Sequence, residues 1–94
     1  RHPLHILIAE DNRVNQLVAV GILEKLGYRP DVAANGLEVL DNMKRKSYDL
    51  IFMDFHMPEM DGLEATKKIF EKYPESKRPV IVALTASAMK EDVD

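Results

Sequence analysis

Three acidic side chains and one hydroxyl stand where short apolar runs end. Glu10 and Asp11 follow the run at residues 4–9, Asp54 follows the run at residues 49–53, and Thr85 follows the run at residues 80–84. Near-continuous apolar runs of this kind read as strands covered on both faces. In open α/β sheets, ligands gather at the carboxyl ends of such strands, near the topological switch point. If the first and third of these strands are neighbours, three carboxylates converge. At about 4 Å, two like charges repel by roughly 4 kcal/mol at an effective dielectric of 20. Such a cluster needs protons or a cation. Oxygen donors with no His or Cys partner favour a hard ion, Mg²⁺ above others.

Each acid also has a plainer reading. Acids after strands often cap helices, and Asp11 fits as the cap of a helix beginning near Asn12. Asp54 resists that reading. It closes an otherwise apolar stretch, where a charge without a purpose would be costly.

The elements that must position these groups alternate along the chain. A weaker, more polar run at residues 29–34 suits an edge strand, and Pro30 fits an edge. Val14, Leu17, Val18, Ile22 and Leu26 recur at helical spacing over residues 12–26, with Gly27 as a stop. Leu37, Leu40 and Met43 mark a helix over residues 36–46. Leu63, Ala65, Thr66, Ile69 and Phe70 mark another over residues 62–73, with Asp61 as its cap and Pro74 beyond it. The order β-α-β-α-β-α-β predicts an α/β fold with a parallel sheet and, through right-handed crossovers, helices on both faces.

Composition narrows the rest. The sequence has 94 residues, enough for one small domain, and it contains no cysteine, so neither disulfides nor thiolate metal sites arise. A net charge of -3 argues against a nucleic-acid surface. No apolar run approaches the roughly 18 residues of a membrane span. The sequence begins at Arg1, and residues 89–94 read as a helix just opening, so a fragment of a larger protein is expected.

Taken together, Ile8-Ala9-Glu10-Asp11-Asn12, the stretch from Met53-Asp54 through Pro58-Glu59-Met60-Asp61-Gly62, and Ala83-Leu84-Thr85-Ala86 resemble the receiver domain of two-component response regulators. The Glu10-Asp11 pair, Asn15-Gln16 in the first helix and the Pro58 to Gly62 loop look most like receivers of hybrid sensor histidine kinases. The resemblance covers the whole chain. It implies a flavodoxin-like, doubly wound parallel sheet of strand order 2-1-3-4, and a single domain over residues 1–94 that lacks its fifth strand and last helix. It further implies that Asp54 accepts a phosphoryl group from a phosphohistidine. Glu10, Asp11, Asp54 and the backbone carbonyl of His56 would hold Mg²⁺, and the Thr85 hydroxyl would report the phosphoryl group. On this resemblance the domain would catalyse its own phosphorylation rather than turn over a substrate.

Two departures from the family bear on this. His56 stands where hybrid-type receivers more often carry an amide, which bears on how long the phosphoryl group lasts. The family's lysine and aromatic residue on a fifth strand would lie beyond Asp94, and Lys90 is no substitute. By ordinary element lengths, about 30 further residues complete such a domain.

The implied partner is a histidine kinase or a histidine phosphotransfer domain. A homodimer through the exposed fourth strand or an uncovered sheet face is a further expectation, with no nucleic acid and no direct membrane contact. The expected location is cytoplasmic, including the cytoplasmic part of a membrane-bound sensor kinase. The rival reading is a truncated interaction or assembly module that is not phosphorylated. A phosphatase of the haloacid dehalogenase type needs a second acid two residues after its nucleophile, where this chain has His56. No His sits on a helix beside an acid, as a kinase or phosphotransfer module would require.

Overall fold

The computed structural model describes residues 4–84. Thr85, Lys90, His2 and the expected opening of a fourth helix lie outside the described residues. The elements are β1 (Ile6–Ala9), α1 (Arg13–Lys25), β2 (Asp31–Ala33), α2 (Gly36–Arg45), β3 (Leu50–Met53), α3 (Gly62–Lys72), a 3-10 turn (Glu75–Lys77) and β4 (Val80–Ala83). The sheet is parallel with order β2-β1-β3-β4, as expected. The 3-10 turn carries no apolar repeat, so its sequence gave no sign of it.

Alternation along the central strands sorts their side chains to two faces. Leu7, Ala9, Ile51 and Met53 pack with Val39 and Met43 of α2 and Ala65 and Ile69 of α3. Ile6 and Ile8 pack on the other face with Leu23, Ala19 and Val20 of α1. Both faces of β1 are therefore buried, which explains its unbroken apolar sequence.

The apolar residues that mark α1 are not the ones that pack. Val14, Leu17, Val18, Ile22 and Leu26 are all exposed, at 57–66%. The stripe that packs is half-buried Ala19 and Val20 with buried Leu23, so α1 carries apolar residues on two sides. Val80 and Val82, in register with Leu50 and Phe52, are exposed on the α1 side of the sheet. Leu63 and Phe70 of α3 are exposed as well.

Caps follow the sequence with one correction. Asn12, not Asp11, caps α1: its side-chain oxygen accepts the Asn15 N–H at 3.0 Å. Asn12 lies one residue nearer the helix, where its oxygen reaches the third helical N–H. Asp61 caps α3 as expected, accepting the Glu64 N–H. Asn35 caps α2 in the same way.

At the edge strand, the Tyr48 hydroxyl donates to Asp31 Oδ2 at 2.6 Å and Lys46 Nζ donates to the same oxygen at 3.0 Å. This ties β2 to the loop that enters β3. The Tyr48 hydrogen bond, opposed by partial burial and aided by Lys46, holds the Asp31 carboxyl below its ordinary value. A depressed carboxyl stabilises the fold above its unfolded value and loses that contribution as pH falls through the folded one. Asp31→Asn is expected to cost about 1 kcal/mol at pH 7. In urea unfolding across pH, the gap to wild type should be full above 3.8 and close as the pH falls below it.

Candidate functional site

The site is a consequence of strand register. Ala9 pairs with Met53 at the carboxyl ends of β1 and β3, so the next residues, Glu10 and Asp54, stand side by side. The ladder continues past the strands: Asp54 N–H donates to Ala9 O at 2.9 Å, and Glu10 N–H donates to Ala33 O at 2.9 Å. The main chain of each acid is thus anchored to a neighbouring strand. One carboxylate oxygen from each of Glu10, Asp11 and Asp54 falls within a group whose members all lie within 4.8 Å of one another. Glu10 is 4% and Asp54 8% exposed, while Asp11 faces solvent.

Hydrogen bonds orient two of the three carboxylates. Asp54 Oδ1 accepts the His56 N–H at 3.0 Å. Glu10 Oε2 accepts the Asn12 N–H at 3.0 Å. Burial pushes the Glu10 carboxyl above its ordinary value, against the Asn12 N–H and the Asn15 side chain, and the charges of Asp54 and Asp11 add to the rise. The His56 ring is exposed at the rim of the site.

The loop after Asp54 is clamped from two sides by glycines. The Gly36 N–H donates to Met60 O at 2.7 Å, and a Cβ on Gly36 would lie 2.7 Å from the Met60 side chain. A Cβ on Gly62 would collide with the Asp54 carbonyl oxygen and come within 2.6 Å of Met53 Cγ. Met57 and Met60 both turn inward to the core, and Glu59 between them takes a left-handed backbone with φ 68°. That conformation is uncommon outside glycine and fits a tightly held loop.

The donor set fits a small hard dication: oxygen atoms alone, close enough to share one ion, just past the ends of two adjacent strands. With Asn12 serving as the cap, Asp11 is free of the capping role that competed for it.

Sequence matching agrees with this geometry. The family of the response regulator receiver domain matches residues 6–94. The chain belongs to that family. It is 50% identical over 93 residues to hybrid signal transduction histidine kinase K of Dictyostelium discoideum, covering 93% of this chain and 8% of that protein. It is 40% identical over 88 residues to the aerobic respiration control sensor protein ArcB of Escherichia coli, covering 94% of this chain and 11% of ArcB. The receiver therefore spans only a small part of these relatives.

Among solved structures, the receiver domain of sensor histidine kinase PA1611 from Pseudomonas aeruginosa, with magnesium in its active-site cleft, superposes with a TM-score of 0.82 at 39% identity. That match covers 98% of this chain and 75% of that one. The receiver domain of Saccharomyces cerevisiae Ssk1, solved with the histidine phosphotransfer protein Ypd1, matches with a TM-score of 0.78 at 39% identity, over 96% of this chain and 68% of that one. No helix among the described residues is long and apolar enough to cross a membrane.

Of the residues expected from sequence, Glu10, Asp11 and Asp54 come together, His56 meets the group through its N–H on Asp54, and Thr85 lies outside the described residues. Sequence reasoning missed the clamps at Gly36 and Gly62, and it gave Asn15 and Gln16 no task. Gln16 did carry a signal. It is a polar residue in step with Ala19, Val20 and Leu23, on the side of α1 that packs against the sheet.

Three like charges this close oppose folding when no cation is present. Asp54→Asn keeps the shape and removes one of them. In urea unfolding at pH 7 with chelator, the variant is expected to be more stable than wild type by about 1–3 kcal/mol. Equal or lower stability would contradict the repulsion.

Proposed function

We propose that this receiver accepts a phosphoryl group from a phosphohistidine onto Asp54. The observation that carries the proposal is the Glu10, Asp11 and Asp54 group at the ends of β1 and β3. Glu10, Asp11, Asp54 and the His56 carbonyl would hold Mg²⁺, which when bound neutralises charge on the phosphoryl oxygens. The His56 N–H fixes Oδ1 of Asp54 and leaves Oδ2 as the nucleophile. A bond forms from Oδ2 to phosphorus as the P–N bond of the donor breaks, and the imidazole nitrogen leaves with the electron pair. Partial burial of Asp54 limits water at the acceptor. The Thr85 hydroxyl is assigned to sensing the added charge and acceptor oxygens.

The proposed donor is a histidine kinase or histidine phosphotransfer domain, in keeping with the Ssk1 receiver solved with such a protein. Val14 and Leu17 support a docking face there. They are exposed on the first turns of α1, directly after the acidic pair, so a protein seated on them reaches the site. A homodimer through the fourth strand is likewise a proposal. It is supported by the open edge of β4 among the described strands and by exposed Val80 and Val82.

The test is incubation with a small-molecule phosphodonor and Mg²⁺, read by intact mass. Wild type is expected to gain one phosphoryl group and Asp54→Asn none. Equal labelling of the two would overturn the assignment of Asp54 and leave the rival reading, an unphosphorylated interaction module.

A further inference from the structure

Beyond the acids themselves, α1 reaches back into the site. Gln16 Nε2 donates to the backbone carbonyl of Glu10 at 2.6 Å. That carbonyl sits just past the end of β1. By the strand register its natural sheet partner would be the N–H two residues past Ala33, that of Asn35, but β2 stops at Ala33 and no backbone N–H among the described residues donates to the Glu10 carbonyl. Gln16 takes the place of the missing strand residue.

This carbonyl belongs to the peptide unit that joins Glu10 to Asp11. A peptide unit is planar, so fixing its oxygen fixes the whole plane. The Glu10 end is already anchored through its N–H on Ala33 O. The plane's remaining freedom is rotation, and rotation would swing Asp11 relative to Glu10. Gln16 blocks that rotation from a rigid base. Its own N–H donates to Asn12 O at 2.9 Å in the first helical bond, and the stripe that follows it on α1 packs on the sheet. The same turn supplies the Asn12 N–H to the Glu10 carboxylate.

We propose that Gln16 is a positioning residue for the divalent-cation site, fixing the peptide plane between Glu10 and Asp11 and so the angle at which their carboxylates meet the ion. This rests on the reading of the acidic group as a Mg²⁺ site. The plainer alternative is that Gln16 only satisfies a carbonyl that would otherwise lack a partner.

The two are separated by ion selectivity. Mg²⁺ demands near-ideal octahedral geometry, whereas Ca²⁺ tolerates irregular coordination. Gln16→Met keeps the length and removes the donor. Gln16→Lys keeps a donor within reach and adds positive charge, which weakens both ions alike. Calorimetric titration of the full chain with MgCl₂ and with CaCl₂ gives the ratio of the two affinities.

Gln16→Met is expected to weaken Mg²⁺ binding about tenfold, as loss of an outer-shell partner does, and Ca²⁺ binding much less. Gln16→Lys is expected to keep the wild-type ratio. An unchanged ratio in Gln16→Met overturns the positioning role alone. If Gln16→Met does not fold, Gln16→Ala, which also lacks the donor, takes its place: a shifted ratio supports the positioning role and an unchanged ratio overturns it. Wild type that binds no Mg²⁺ overturns the metal reading, and this proposal with it.

Discussion

The pairing of Ala9 with Met53 at the ends of two adjacent parallel strands is the constraint on which the rest depends. Parallel pairing with that register makes the two following residues neighbours, and both are acids. A one-residue slip would turn every side chain of β3 to the opposite face and carry Asp54 away from Glu10. Register is held by burial on both faces. Leu7 and Ile51 lie in one core layer, and Ile6 and Ile8 in the other. The hydrophobic core therefore works against electrostatics, forcing together charges that would separate if free.

That conflict organises the surroundings of the site. The main chain of each buried acid is tied to a neighbouring strand, so repulsion cannot be relieved by fraying the strand ends. The first turn of α1 holds Glu10 by carbonyl and carboxylate, and the His56 N–H holds Asp54. The two glycine contacts at Gly36 and Gly62 keep the loop after Asp54 from moving outward. What remains is a preformed group of carboxylate oxygens whose charge calls for a dication. Preorganisation of this kind is how a binding site avoids the entropy of ordering its ligands.

Much of this was legible in the sequence because it rests on local pattern. The apolar runs named the strands, and the alternation named the fold class. Acids at the ends of runs marked the site, since a charge closing a buried strand needs a reason. The packed side of α1 was less legible. Its marker residues Val14, Val18 and Ile22 are exposed, and a helix apolar on two sides gives a period without a direction. Asp11 looked like a cap because acids and amides share that role, and only geometry showed Asn12 in the position. The contacts of Gln16, Gly36 and Gly62 join residues from different elements, and a single sequence has no local pattern that reports them.

The most direct measurement is the urea unfolding midpoint of the chain as a function of Mg²⁺, with ionic strength matched by NaCl. A preformed acidic site that exists only in the folded state predicts a stability that climbs by about 1.4 kcal/mol for each tenfold rise in Mg²⁺ above the dissociation constant. The climb should vanish when Asp11 is replaced by Asn. A midpoint that follows ionic strength alone, with no advantage for Mg²⁺ over NaCl, would contradict a built cation site at the ends of β1 and β3.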